Sequence, residues 1–281
     1  MRNSKKVLFV NSEIFPYMPE TPMSIVGRYL PQGTQESGKQ IRSFMPRYGC
    51  INERRNQLHE VIRLSGMNIV VNNIDRPLVI KVSSISSARM QVYFIDNEDY
   101  FHRKQIWKDD EGNYFADNDE RGIFFARGVL ETVKKLRWKP DIVHCQGWVS
   151  HFLPVYLKKV YKNDPIFADS KIVLSLYNEE ELDMKFSDDI KTKYLYGALK
   201  EEDLELLTEP NGINLAKLAI KHSDGIILGT DSLHPELESY IGSRKGLPVL
   251  QPMTIGVEET EYITEYNRFY DTFLTPEPAN E

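Results

Sequence analysis

Pro140-Asp141-Ile142-Val143-His144-Cys145-Gln146-Gly147-Trp148-Val149-Ser150-His151 sets a short apolar pair between a proline and a glycine break, and a helical pattern follows at once. From Trp148 to Tyr161 the residues Phe152, Val155, Tyr156 and Val160 recur at steps of three or four, which puts them on one helix face. A strand leading straight into a helix is half of a crossover unit. The same pattern repeats elsewhere. Val7-Leu8-Phe9-Val10, Ile172-Val173-Leu174 and Ile226-Ile227-Leu228 are short apolar runs without polar alternation, as strands buried on both faces of a parallel sheet require. Helical spacing returns at Ile123, Ala126, Leu130, Val133 and Leu136, after the cap-like Asp117-Asn118-Asp119, and again from Ile213 to Ile220. Strand–helix–strand alternation predicts a doubly wound α/β fold. Its mainly parallel sheet is expected to use these four runs and a strand near Phe44, with helices on both faces.

Two regions interrupt the alternation. Ile69-Val70-Val71, Leu78-Val79-Ile80-Lys81-Val82 and Met90-Gln91-Val92-Tyr93-Phe94 follow one another closely, which predicts an antiparallel excursion or a sheet edge. The charged stretch from Lys185 to Asn211 predicts short surface helices. Tyr262, Tyr266, Phe269, Tyr270 and Phe273 share one face of a terminal helix over 262–274, and 275–281 is expected to be a frayed tail. No repeat or Gly/Ser linker divides the chain, so residues 1–281 are expected to form a single domain.

Composition narrows the function classes. With 281 residues, 41% hydrophobic and 27% charged, the chain has the make-up and length to bury a core. A net charge of −6 argues against a nucleic-acid partner, because phosphate backbones call for an excess of Lys and Arg. No apolar run approaches the roughly 20 residues of a membrane helix, and Val7–Val10 is too short for a signal core. Cys50 and Cys145 stand far apart with no metal-ligand spacing, as expected for reduced thiols in a cytoplasmic protein. Neither a metal ion nor an organic cofactor is expected.

In an open parallel sheet, ligands bind at the carboxyl ends of the strands. The first strand ends in Asn11-Ser12-Glu13, then Phe15-Pro16-Tyr17-Met18-Pro19-Glu20-Thr21-Pro22, with no glycine before Gly27. Neither GxGxxG nor GxxxxGK[ST] occurs in the chain, and a loop without glycine amides does not cradle a pyrophosphate. At the second strand end, His144 and Trp148 offer a sugar a hydrogen bond and a stacking face; the plain alternative is a structural histidine and a core tryptophan. At the third, Asn178 either bonds a hydroxyl or closes a turn. Asp117 is by default a helix N-cap. Carboxylates are plentiful, but none are paired by spacing for acid/base work. The residues alone assign no catalytic group.

Taken together, the strand ends resemble the glycogen and starch synthases. Lys6-Val7-Leu8-Phe9-Val10-Asn11-Ser12-Glu13 with Pro16 is similar to the family's opening, and Pro46-Arg47-Tyr48-Gly49 to its Pro-x-Tyr-Gly. Asp117, Asn118, Arg121 and Phe124-Phe125 resemble its Asp-Asn-x-x-Arg-Phe helix. Pro140–His144 with Trp148 and Pro154 resembles Pro-Asp-Val-Val-His-x-His-Asp-Trp-His. Ser175-Leu176-Tyr177-Asn178 stands for Thr-Val-His-Asn, and Ser223-Asp224 for Tyr-Ala-Asp. The resemblance implies the N-terminal, Rossmann-like lobe of a two-lobed GT-B glucosyltransferase, retaining and metal-independent, extending an α-1,4-glucan from ADP- or UDP-glucose. It implies that Glu13, Asp117, Asn118, Arg121, His144, Trp148, Tyr177 and Asn178 line the substrate side, facing an α-glucan or maltooligosaccharide.

The departures fall on the donor. The family's Lys-x-Gly-Gly-Leu loop falls on Pro19-Glu20-Thr21-Pro22-Met23, so a cation and both glycines are lost and an anion enters. Glu20 beside a diphosphate costs on the order of 1–4 kcal/mol by Coulomb's law. Two family histidines read Val149 and Tyr177. After Gly229 some fifty residues remain, too few for the second lobe with its basic donor groups. The expectation is a lobe inactive alone, completed by a partner chain or a homo-oligomer. The alternatives are a non-catalytic glucan-binding or regulatory protein, and a structural protein that kept only the fold.

Overall fold

The computed structural model describes residues 4–274. The strands are β1 (Lys6–Asn11), β2 (Gln40–Pro46), β3 (His59–Glu60), β4 (Met67–Val71), β5 (Ile74–Ile85), β6 (Met90–Asp96), β7 (Ile142–Gln146), β8 (Lys171–Leu176), β9 (Gly225–Leu228) and β10 (Val249–Leu250). The helices are α1 (Pro22–Glu36), α2 (Glu98–Phe101), α3 (Asn118–Lys135), α4 (Leu153–Lys159), α5 (Ile190–Tyr194), α6 (Gly212–Lys221), α7 (Pro235–Ser243) and α8 (Glu261–Leu274). Strand order is β10-β9-β8-β7-β1-β2-β6-β5-β3, with β4 paired to β5. Pairing is parallel from β10 through β6 and antiparallel at β5. All the apolar runs lie in the parallel part, as the alternation predicts. One expectation is corrected: Met90–Phe94 is not part of an antiparallel excursion alone, because β6 also runs parallel beside β2, Phe44 opposite Tyr93. Only β3, β4 and β5 form the antiparallel edge.

Strand alternation sorts the core into two sides. Leu8, Val10, Val143, Cys145, Ile172 and Leu174 turn toward α3, α4 and α6. Val7, Phe9, Ile142 and Val173 turn toward Val26 and Leu30 of α1 and Tyr262, Tyr266 and Tyr270 of α8. The sheet is therefore covered twice, and α8 is one of its covers. Gly33 of α1 and Gly225 of β9 let α8 sit close: a Cβ at either would overlap Ile263 or Phe273.

Helix α1 was not readable from periodicity. Pro22, Gly27, Pro31 and Gly33 look like breakers, yet Pro22 sits in the first turn, where its missing N–H is harmless. Gly27 is where α1 touches the first loop, since a Cβ there would lie 2.5 Å from the Glu13 carbonyl. The pattern read as helical from Trp148 begins as a 3-10 turn over Trp148–Phe152 before α4. The charged stretch 185–211 folds, as expected, into α5 and a kinked 3-10 segment, Glu201–Thr208. The expected tail, 275–281, lies outside the described residues.

Candidate functional site

From β1 the chain passes outward through β2 in one direction and through β7, β8, β9 and β10 in the other, so the order switches between β1 and β7. Their carboxyl ends open a crevice there. Ser12 stitches the two ends: its N–H donates to the Gln146 carbonyl at 3.0 Å, and its hydroxyl accepts from Val149 N–H at 3.3 Å. Gly147, at φ +79°, must be glycine, because any Cβ would strike Ser12.

The first loop closes on itself. Ser24 N–H donates to Thr21 Oγ1 at 3.0 Å and Thr21 N–H to Ser24 Oγ at 2.8 Å, a reciprocal cap on α1. The Thr21 hydroxyl also donates to Glu13 Oε2 at 2.9 Å. With proline at the first helical position, one of the amides that a helix N-terminus offers to an anion is absent, and those of Ser24 and Ile25 are bonded to Thr21. Glu20 stands exposed beside them.

At the end of β8 the segment after Tyr177 brings in two residues that sequence spacing did not single out. Glu179 and Glu181 lie close enough to shift each other's ionisation. Burial, then the charge of Glu181 and that of Glu13, pushes Glu179 up to about 9. Burial foremost, with Glu13 adding, raises Glu181 to about 7, and burial also raises Glu13. Near neutral pH this pair shares a proton. Sequence spacing could not single out this pair, because an i, i+2 spacing in a loop gives no sign of burial. Trp148, His151, Tyr177 and Phe186 wall the small cavity beside the pair. Trp148 Nε1 and His151 Nε2 find no partner among the described residues. The free space is about 10 Å3, at the lower limit for one water, so the crevice is closed over.

The third group gathers at the start of α3. Asp117 is the N-cap residue by position, but its carboxylate does not cap. It turns outward to Arg103, receiving Nη1 at 2.6 Å and Nη2 at 2.5 Å, a bidentate pair, so the default capping role is corrected. Asn118 donates to the Trp107 carbonyl at 2.9 Å and accepts from Arg121 Nη1 at 2.6 Å. Arg121 is wholly buried, its Nε donating to the Tyr100 carbonyl at 2.7 Å. Burial pulls its pKa down to about 10, opposed by Tyr48 and Asp117. Tyr48 interacts electrostatically with Arg121, Glu13 and Glu181 in turn, so the α3 group and the carboxylates meet across it. Tyr48 Oη and Arg121 Nη2 have no partner among the described residues.

Seven of the eight residues read from the sequence stand around this rim. Glu13, Asp117, Asn118 and Arg121 gather on one side. Trp148 and Tyr177 wall the cavity, and Asn178 lies exposed at the mouth. His144 does not join them. The alternation of β7 turns it, with Ile142, to the α8 face, where Nε2 meets Ser175 Oγ at 2.6 Å and Nδ1 meets Tyr270 Oη at 2.7 Å. Burial pushes its pKa down to about 3, so it is neutral. Over the mouth, the loop 102–117 is tied to the segment 178–183 by Lys108 on Glu180, and by Tyr114 Oη donating to the Glu180 carbonyl at 2.9 Å. Sequence spacing gave no hint of Tyr48, Arg103, Glu179 or Glu181 as neighbours. Among the described residues no group of His, Cys, Asp or Glu is placed to hold a metal ion, and no helix is long and apolar enough to cross a membrane.

A parallel sheet covered on both faces, with a crevice at the β1/β7 switch, defines a Rossmann-like lobe of the GT-B kind. A sequence model of the starch synthase catalytic domain matches residues 6–247. The chain belongs to this family. Among its relatives, the glycogen synthase of Chlorobium luteolum is 33% identical over 239 residues, 84% of this chain and 47% of that one. The glycogen synthase of Chlorobaculum parvum is 31% identical over 262 residues, 91% of this chain and 53% of that one. The chain thus spans about half the length of these relatives, or less in others. The catalytic domain of starch synthase IV from Arabidopsis thaliana, solved with ADP and acarbose, superposes with a TM-score of 0.71 at 17% identity, over 92% of this chain and 53% of that one. That likeness supports the fold.

Proposed function

We propose that this chain is the glucan-side lobe of a glycogen/starch-synthase-type glucosyltransferase, and that alone it engages α-1,4-glucan without transferring glucose. The observation that carries this reading is the self-capped first loop. A nucleotide-sugar donor brings a diphosphate, and its transfer needs preorganised positive groups where charge develops. Here Pro22 offers no N–H, and the Ser24 amide of α1 and the Thr21 amide before it are taken up in the cap, while Glu13, Glu179 and Glu181 crowd the crevice. Arg121, the buried cation across Tyr48 from them, gives Nη1 to Asn118 and Nε to the Tyr100 carbonyl. Donor handling therefore falls to groups outside this lobe.

On the glucan side, the closed cavity leaves the mouth as the contact surface. Asn178, the Asp117–Arg103 pair and the half-buried Trp107 ring lie on the two segments that frame it. A sugar's hydroxyls and apolar faces match amide, carboxylate and indole groups. The test is calorimetric titration with ADP-glucose and UDP-glucose, together with an assay for extension of maltoheptaose. Neither donor should bind with a dissociation constant below about 100 μM, roughly 5.5 kcal/mol, and no extension should occur. Tight donor binding or chain extension by the purified protein would overturn the proposal.

A further inference from the structure

A second concavity lies at the opposite end of the sheet, where β2 and β6 begin and β5 ends. It has a volume of about 400 Å3, within the usual range for small-molecule sites. Two arginines face it, and no Asp or Glu lines it. Arg42 is pre-positioned: its guanidinium lies 5.4 Å from the ring centroids of both Tyr93 and Trp138. Its Nη1 donates to the Tyr93 hydroxyl, and its buried Nε finds no acceptor among the described residues. Arg89 follows the short turn Ser86–Ala88 and is held at φ +52°, the left-handed region. A non-glycine residue there points to a local demand on the chain. Neither guanidinium has a carboxylate partner among the described residues. Glu36, the acid next to Gln35 on α1, accepts a hydrogen bond from Gln32 at 2.8 Å.

Ser84 and Ser86 add hydroxyls, and Gln35 and Gln91 add amides. In a chain of net charge −6, two uncompensated guanidinium groups in one concavity focus positive potential. Guanidinium is the side chain best matched to phosphate, offering parallel N–H donors to its oxygens. The volume exceeds what an orthophosphate alone would fill, and the amides suit hydroxyls on an attached body. Along β2, Arg42 lies four residues before Pro46, about 13 Å at ~3.3 Å per residue, so this concavity is separate from the rim crevice.

We propose that this concavity binds a small phosphate monoester, its phosphoryl group held between Arg42 and Arg89 and its polar body against Gln35 and Gln91. The experiment is calorimetric titration of the full chain with ribose 5-phosphate, ribose and inorganic phosphate, each at low and high salt. Ribose 5-phosphate should bind at one site, more tightly than inorganic phosphate, with affinity falling as salt rises; ribose should not bind. Arg42→Gln and Arg89→Asn should each weaken binding by about tenfold or more, as loss of a charge-assisted pair implies. Arg89→Asn is the safer variant, because Arg89 is exposed and asparagine tolerates left-handed backbone. Equal binding by Arg89→Asn of unchanged melting temperature would overturn the proposal. So would no saturation of the wild type by about 1 mM, or inorganic phosphate binding as tightly as the monoester.

Discussion

Glu179→Gln tests the buried carboxylate pair through stability. Glu179 is raised from 4.5 to about 9, by burial first and then by Glu181 and Glu13. A carboxyl whose pKa is raised on folding binds its proton more tightly in the native state. Its stabilising contribution is complete at low pH and is lost as pH rises from the unfolded value toward the folded one. Between pH 6.5 and 8.5 the unfolded Glu179 is ionised while the folded one keeps its proton. Each pH unit then removes about 1.4 kcal/mol, close to 3 kcal/mol across the window. At ~2–4 °C per kcal/mol for a chain of this size, the wild type should lose about 6–12 °C. Glutamine keeps the shape and holds no titrating proton, so the variant's loss should be less than half of that. Melting curves by circular dichroism at five pH values decide it. Parallel slopes for the two proteins would refute the shared-proton pair.

Other consequences follow from the α8 face and the buried imidazoles. Gly33→Val places bulk against Ile263 and should destabilise by about 1–3 kcal/mol in urea unfolding; an unchanged midpoint would mean that α8 does not rest on α1. Tyr270→Phe strips the hydroxyl from His144 Nδ1 and should cost about 1–3 kcal/mol, the penalty of an orphaned buried group, read by the same assay. On the acid side, burial lowers His144 to about 3 and His151 and His222 to about 4. The unfolded chain therefore takes up more protons at these three sites below pH 6.5, a loss of stability on acidification that the protons held by folded Glu179 and Glu181 partly offset. In Glu179→Gln, where one offset is removed, a melting temperature that stays level from pH 6.5 to 5 would contradict neutral, buried histidines.

The sheet was legible because its central strands are apolar on both faces, and residues such as Val7 and Ile142 need no tertiary information to be read. Helix α1 was not, because Gly27 and Gly33 are there for close approach to Glu13 and Ile263, a reason invisible to local spacing. The rim was partly legible through Glu13, Asp117, Asn118 and Trp148, whose positions follow from where strands and helices end. His144 shows the limit: it sits within the strand, and only the docking of α8 decides which face closes over it. Glu179 and Glu181 read as a solvated acidic run, and it is the packing of the segment after β8 against Trp148 and Phe186 that buries Glu181 and half-buries Glu179.

The glucan side is tested most directly by calorimetric titration of maltoheptaose into the wild type and into Asp117→Ala and Asn178→Ala variants of matched melting temperature. Asn178 is exposed and the Asp117 carboxylate pairs with Arg103 at the surface, so both substitutions leave the core intact. The expected result is saturable binding by the wild type and affinity weakened by about tenfold in each variant, as loss of one or two hydrogen bonds implies. Equal binding by all three proteins, or binding by none, would contradict a glucan-facing rim.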